Sequence, residues 1–128
     1  MVAGWDAGTG KLLWRTSEPA EPPFYSAASS PVGENGIILA HPGNYDPLTA
    51  FDANTGEVRW RGGAGGFFAS PIIATLDGVR QVVTMTQKNV LGISVTNGQV
   101  LWEFPWSGAS GGPMPVLYGD VADRKSVV

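Results

Sequence analysis

Asp6 and Asp52 each stand four residues ahead of a glycine and eight ahead of a tryptophan. Carboxylates can act as general acids or hold calcium. Recurrence at one fixed spacing favours a humbler role, capping a turn that the chain builds more than once. Trp14, Trp60 and Trp102 offer flat faces on which a cofactor could stack, but they too recur, which argues for packing between repeated units. Trp5 and Trp106 fall outside the repeated tryptophan position and are less constrained; either could face a ligand. His41 is the single histidine and could act as a general base. No Gly-x-Ser-x-Gly nucleophile pattern accompanies it, so a structural or merely exposed role is expected. Asn44, Tyr45 and Asp46 are rich in oxygen donors without the spacing of an EF-hand loop, and read as a polar turn. Gly62-Gly63-Ala64-Gly65-Gly66 lacks the Lys-Ser/Thr ending of a phosphate loop and reads as a flexible connection. Lys88 in Gln87-Lys88-Asn89 could meet an anionic partner, though a solvated turn lysine is the simpler expectation. No catalytic residue and no metal ligand emerges.

Composition narrows the classes. The chain has 128 residues, 43% hydrophobic and 15% charged, enough apolar content for a core. Its 18 glycines and 10 prolines favour short strands over helices. The net charge of −3 leaves no basic patch for nucleic acid. No apolar run approaches the roughly 18 residues of a membrane span, and no signal segment opens the chain. With no cysteine there is neither a disulfide nor a thiolate site.

The organising feature is an internal repeat. Gly4-Trp5-Asp6-Ala7-Gly8-Thr9-Gly10-Lys11-Leu12-Leu13-Trp14 aligns without gaps on residues 50–60 and 92–102. The pattern is small-x-Asp-x-x-Thr-Gly-x-x-x-Trp. Its structural positions are Asp6, Thr9, Gly10 and Trp14, then Asp52, Thr55, Gly56 and Trp60, then Gly98 and Trp102. Ser94 and Asn97 replace Asp and Thr in the third copy. A period in the forties with strand-like segments between is the length of one propeller blade. Ser29-Ser30-Pro31-Val32, Ala69-Ser70-Pro71-Ile72 and Gly112-Pro113-Met114-Pro115-Val116 each look like the opening of a blade.

Each position has a physical reason. Asp and Thr side chains bond turn backbone, Gly supplies positive φ, and Trp can wedge between neighbouring blades. The small residues Gly4, Ala50 and Gly92 leave room for close packing. Four antiparallel strands are expected per blade. In the middle blade these span 28–32, 36–41, 48–52 and 58–61, and in the next 68–76, 80–86, 89–94 and 100–104. Glu34-Asn35-Gly36 and Asp77-Gly78 supply hairpin turns. The expected fold is all-β: a β-propeller fragment with about two complete four-stranded blades and partial blades at both ends.

These motifs resemble the tryptophan-docking repeat of quinoprotein alcohol dehydrogenase-like propellers, also found in outer-membrane assembly lipoproteins and other pyrroloquinoline-quinone-like repeat proteins. The resemblance runs from Gly4 to about Val121. It implies an extracytoplasmic protein, periplasmic or extracellular, that is either a non-catalytic scaffold or part of a quinone-dependent alcohol or sugar dehydrogenase. Pyrroloquinoline quinone and calcium are implied only in the second case, and no residue of the chain matches their ligands. The partners expected are neighbouring blades and a protein. Residues 1–122 form the propeller part. Asp123-Arg124-Lys125-Ser126-Val127-Val128 is unrelated to the repeat and reads like a translated sequencing adapter, hence a non-native tail. Two blades bury little surface, so aggregation or partial disorder is expected of this piece alone.

Overall fold

The computed structural model describes residues 1–17, 29–43, 45–66, 69–106, 115–119 and 121–123. Several expectations fall outside these residues: Ala28 and Phe68 as strand starts, Asn44, the Gly112-Pro113-Met114 opening and tail residues 124–128.

Twelve strands and no helix appear among the described residues. In chain order they are β1 (Ala3–Trp5), β2 (Leu12–Arg15), β3 (Val32–Glu34), β4 (Ile37–Ala40), β5 (Pro47–Asp52), β6 (Val58–Gly65), β7 (Ile72–Leu76), β8 (Val79–Met85), β9 (Asn89–Ser94), β10 (Val100–Pro105), β11 (Val116–Tyr118) and β12 (Val121–Asp123). Strands β3 to β6 form one antiparallel meander and β7 to β10 another, while β1–β2 and β11–β12 are two-stranded. The chain is therefore a partial β-propeller. It has two complete four-stranded blades, the last two strands of a blade before them and the first two of a blade after.

Proline sets where the innermost strands begin. Pro31 and Pro71 have no N–H to give a ladder. Pairing starts just after them, at Val32↔Leu39 and Ile72↔Val83, so the strands expected from 28 and 68 are shorter than read. The expected hairpins form at Asn35–Gly36 and Asp77–Gly78. Both residues of each turn have positive φ (47° and 77°; 48° and 74°), the primed geometry that matches strand twist.

The glycine run needs correction. Gly62 to Gly65 are not a loose connection but the second half of β6, paired as Leu48↔Gly62 and Pro47↔Gly65 across a register shift at Gly63 and Ala64. Neighbouring backbone explains the composition. A Cβ on Gly62 would lie 2.2 Å from the Gly98 carbonyl oxygen, and one on Gly65 would lie 2.5 Å from the Tyr45 carbonyl. Only glycine lets the next blade's turn and the chain's own loop approach so closely.

The core runs across the blade boundary. Leu39, Leu48 and Ala50 of the middle blade are buried with Val82, Leu91, Ile93 and Val95 of the next, and Trp60 and Ile73 pack on this cluster. Trp14, Ala40 and Phe51 form the equivalent cluster one boundary earlier, with Val2 and Ile38 against it.

Candidate functional site

The repeat motif builds a turn and then aims a tryptophan. At the first turn the Asp6 carboxylate accepts from the Thr9 amide and hydroxyl, both at 2.6 Å. At the second, Asp52 accepts from the amides of Asn54 and Thr55 at 2.9 Å, and the Thr55 hydroxyl accepts from the Glu57 amide. Backbone bonds close both turns, Gly10 N–H to Asp6 carbonyl and Gly56 N–H to Asp52 carbonyl. The third turn reaches the same end with other atoms. Ser94 Oγ accepts from Thr96 N–H and Asn97 Oδ1 from Gln99 N–H.

These bonds favour ionised carboxylates. Asp6 is lowered from the ordinary carboxylate value by the Thr9 hydroxyl and amide. Asp52 falls to about 2, chiefly through the Arg59 guanidinium 2.5 Å away and then through the turn amides.

Sequence reasoning missed the device that aims the tryptophan. After each motif the register slips by one residue. Gly4 faces Trp14 but Trp5 faces Leu12; Ala50 faces Trp60 but Phe51 faces Val58; Gly92 faces Trp102 but Ile93 faces Val100. Leu13, Arg59 and Leu101 are thus the extra residues of three matching β-bulges, and a bulge re-aims the side chain beside it. The signal was present in the constant three residues between Gly and Trp.

The indoles so aimed reach the next blade. Trp14 Nε1 donates to the Ala53 carbonyl (2.8 Å), and Trp60 Nε1 donates to the Val95 carbonyl (2.9 Å). Each ring lies between two small residues, one in its own blade and one in the next turn. A Cβ on Gly4 would be 2.5 Å from Trp14, and one on Gly56 2.6 Å from the same ring. Trp60 lies likewise against Gly98, at 2.5 Å. Trp14 also stacks on Phe51, with ring centroids 5.9 Å apart. Trp102 covers Gly92, but its Nε1 donates within its own blade to Gln81 Oε1 (2.6 Å).

His41 forms a second boundary contact and is buried. Its Nδ1 lies 3.2 Å from the Asp46 carbonyl and its Nε2 2.9 Å from Thr84 Oγ1 in the next blade. A carbonyl only accepts, so Nδ1 carries the proton and Nε2 accepts from the threonine hydroxyl. Burial pushes the imidazole below its ordinary value, opposed in part by Asp46. Gly66 backs the ring so closely that a Cβ there would lie 2.3 Å from Nε2. Both nitrogens are engaged structurally, as in a boundary pin.

The other candidates are dispersed. Tyr45 and Asp46 are exposed. Lys88 is exposed in a turn whose amides at 88 and 89 bond the Thr86 hydroxyl. The Trp106 amide bonds the Lys88 carbonyl. Trp5 is the surprise. It is 62% exposed although it occupies the motif position held by Phe51 (2%) and Ile93 (0%). A groove of about 450 Å³ lies on the turn rim between the complete blades, lined among others by Asn35, Asp52, Asn54, Arg59 and Thr96.

Among the described residues no group of three or more His, Cys, Asp or Glu could hold a metal ion. The motif carboxylates sit on separate turns, occupied by their own amides, and the seated indoles have glycine against their faces. Among the described residues, too, no helix is long and apolar enough to cross a membrane.

No curated protein matches the chain. The model of a PQQ-type repeat family, described as outer membrane protein assembly factor BamB, matches residues 1–123, and the chain belongs to that family.

Proposed function

We propose that the chain is part of a non-catalytic β-propeller that holds protein partners, working in the periplasm beside the outer membrane. One observation carries this reading: the polar side chains that the repeat singles out already serve the architecture. Asp6 and Asp52 close turns, Trp14 and Trp60 bond the next blade, and His41 bridges to Thr84. The family description supports the setting, since an assembly factor works by contact with other proteins. The turn-rim groove, with the Asp52–Arg59 ion pair at its wall, offers mixed polar contacts of the kind found at protein interfaces.

Calorimetric titration of the folded protein, including any further blades of its gene, with pyrroloquinoline quinone plus calcium tests this. The platform reading expects no binding heat. Stoichiometric binding would overturn it in favour of a quinone-dependent dehydrogenase, in which the cofactor supplies the redox chemistry.

A further inference from the structure

The pair Asn-Gly occurs at Asn35-Gly36 and again at Asn97-Gly98, and the fold treats the two in opposite ways. An asparagine followed by glycine is prone to ring closure, because no side chain shields the nitrogen that attacks its amide. The outcome depends on whether that nitrogen is free and whether the turn can swing.

Asn35 and Gly36 stand exposed at the tip of the β3–β4 hairpin, with φ 47° and 77°. Neither belongs to a strand, and among the described residues the Gly36 N–H donates to no carbonyl outside the strand ladders. A Cβ on Gly36 would meet nothing within 4 Å, so the space around the turn is open. Strand β3 is only 3 residues long, and the tip can open locally without unfolding the blade. At the second pair every one of these freedoms is removed. The Gly98 N–H donates to the Ser94 carbonyl at 3.0 Å, and Asn97 Oδ1 accepts from the Gln99 amide at 3.0 Å. Gly98 is buried against the Trp60 ring.

The hairpin itself does not need the amide. Asp77-Gly78 makes the same turn between β7 and β8, with φ 48° and 74°. An ionised carboxylate is a far poorer target for a nitrogen nucleophile than an amide, so Asn35 adds reactivity to a turn that aspartate builds equally well.

We propose that Asn35 is a site of spontaneous covalent modification, in which Asn35-Gly36 closes to a cyclic imide and reopens as aspartate and isoaspartate, while Asn97 is kept inert by the tryptophan seat. Hydroxide takes the Gly36 amide proton and the nitrogen attacks Asn35 Cγ. An N–Cγ bond forms, the Cγ–Nδ2 bond breaks, and ammonia leaves. Water then opens the imide. Cleavage of the N–Cγ bond restores the ordinary backbone with an aspartate. Cleavage at the α-carbonyl leaves the chain running through the side chain, as isoaspartate. The balance is one water in and one ammonia out, with no oxidant, reductant or cofactor.

The product places a new negative charge on the rim groove, where Asn35 stands with Asp52, Asn54 and Arg59. Isoaspartate also lengthens a two-residue turn by one backbone atom. The change falls beside Glu34, whose carboxylate accepts from Arg80 Nε of the next blade at 2.8 and 3.0 Å. A blade-boundary contact and the groove are thus altered together.

Incubation of the folded protein, including any further blades of its gene, in warm, mildly alkaline buffer tests this, read by proteolysis and mass spectrometry. The Asn35 peptide should gain the mass of an amide-to-acid exchange, in aspartate and isoaspartate forms that electron-transfer fragmentation tells apart. Asn35 should convert about tenfold faster than Asn97 or more, because Gly98 must first lose its hydrogen bond and its packing. In urea the difference should vanish, since the same dipeptide is then free at both positions. Asn35→Gly should abolish conversion at this turn and keep the strand circular dichroism, glycine being at home in a primed turn. Equal conversion of the two asparagines in the folded protein, faster conversion at Asn97, or an Asn35 that reacts only in the unfolded chain would each overturn the proposal.

Discussion

Replacing Gly98 with alanine separates the tryptophan seat from ordinary turn chemistry. Gly98 has φ 76°, and its added Cβ would sit 2.5 Å from Trp60 Cε3. Gly78 is the internal control, with φ 74° and nothing within 4 Å of its added Cβ. Both substitutions force an L-residue into left-handed backbone, at about 1–2 kcal/mol. Only Gly98→Ala also drives a methyl into a packed ring, a further cost of about 1–3 kcal/mol. The ring cannot simply step aside, because its N–H bonds the Val95 carbonyl at 2.9 Å and Ala50 stands opposite it. Urea unfolding followed by far-ultraviolet circular dichroism measures the difference. With a slope of about 1–3 kcal/mol per M, the two midpoints should lie about 1 M apart, Gly98→Ala lower. In a Trp60→Leu background the extra cost should vanish, since the two residues couple through direct contact. Equal midpoints for the two alanine variants would refute the reasoning.

Acid and neutral titrations probe two further groups. Asp52 has a folded-state pKa of about 2, below the free value of about 3.9. Its contribution to stability is therefore full above pH ~4 and is lost as pH falls through ~2; Asp52→Asn should flatten that acid limb of a stability–pH curve. His41 is also depressed in the fold, so the unfolded chain takes up a proton first. Stability should fall as pH drops below about 6.5, the free imidazole value, and His41→Gln should remove that slope. Thr84→Val leaves Nε2 without its donor at a cost of about 1–3 kcal/mol, readable as a lower urea midpoint.

Much of this architecture was legible because the repeat states the same physics three times. Turn positions Asp6, Thr9 and Gly10 and their counterparts could be read from spacing, since a capped turn needs a short acceptor, a hydroxyl and a left-handed residue in that order. The reach of Trp14 and Trp60 into the next blade followed from size and recurrence. What escaped was information about neighbours across a boundary. Gly62 to Gly66 look like flexible chain until the Gly98 turn, the Tyr45 backbone and the His41 ring are seen pressing on them. His41 gave no sign of Thr84, which lies 43 residues away. Trp5 was set apart as an extra tryptophan, although aligning it with Phe51 and Ile93 marks a core position. The bulges at Leu13, Arg59 and Leu101 were hidden because a register slip belongs to two strands together.

Exchange of the indole N–H groups, read by nitrogen-15 NMR, tests most directly that the repeat tryptophans join each blade to the next. The Trp14 and Trp60 signals should exchange slowly, protected by the Ala53 and Val95 carbonyls. Both should become fast in a Gly56→Ala, Gly98→Ala double variant that displaces the rings from their seats. Exchange of Trp14 and Trp60 in the wild type as fast as free indole would contradict the account.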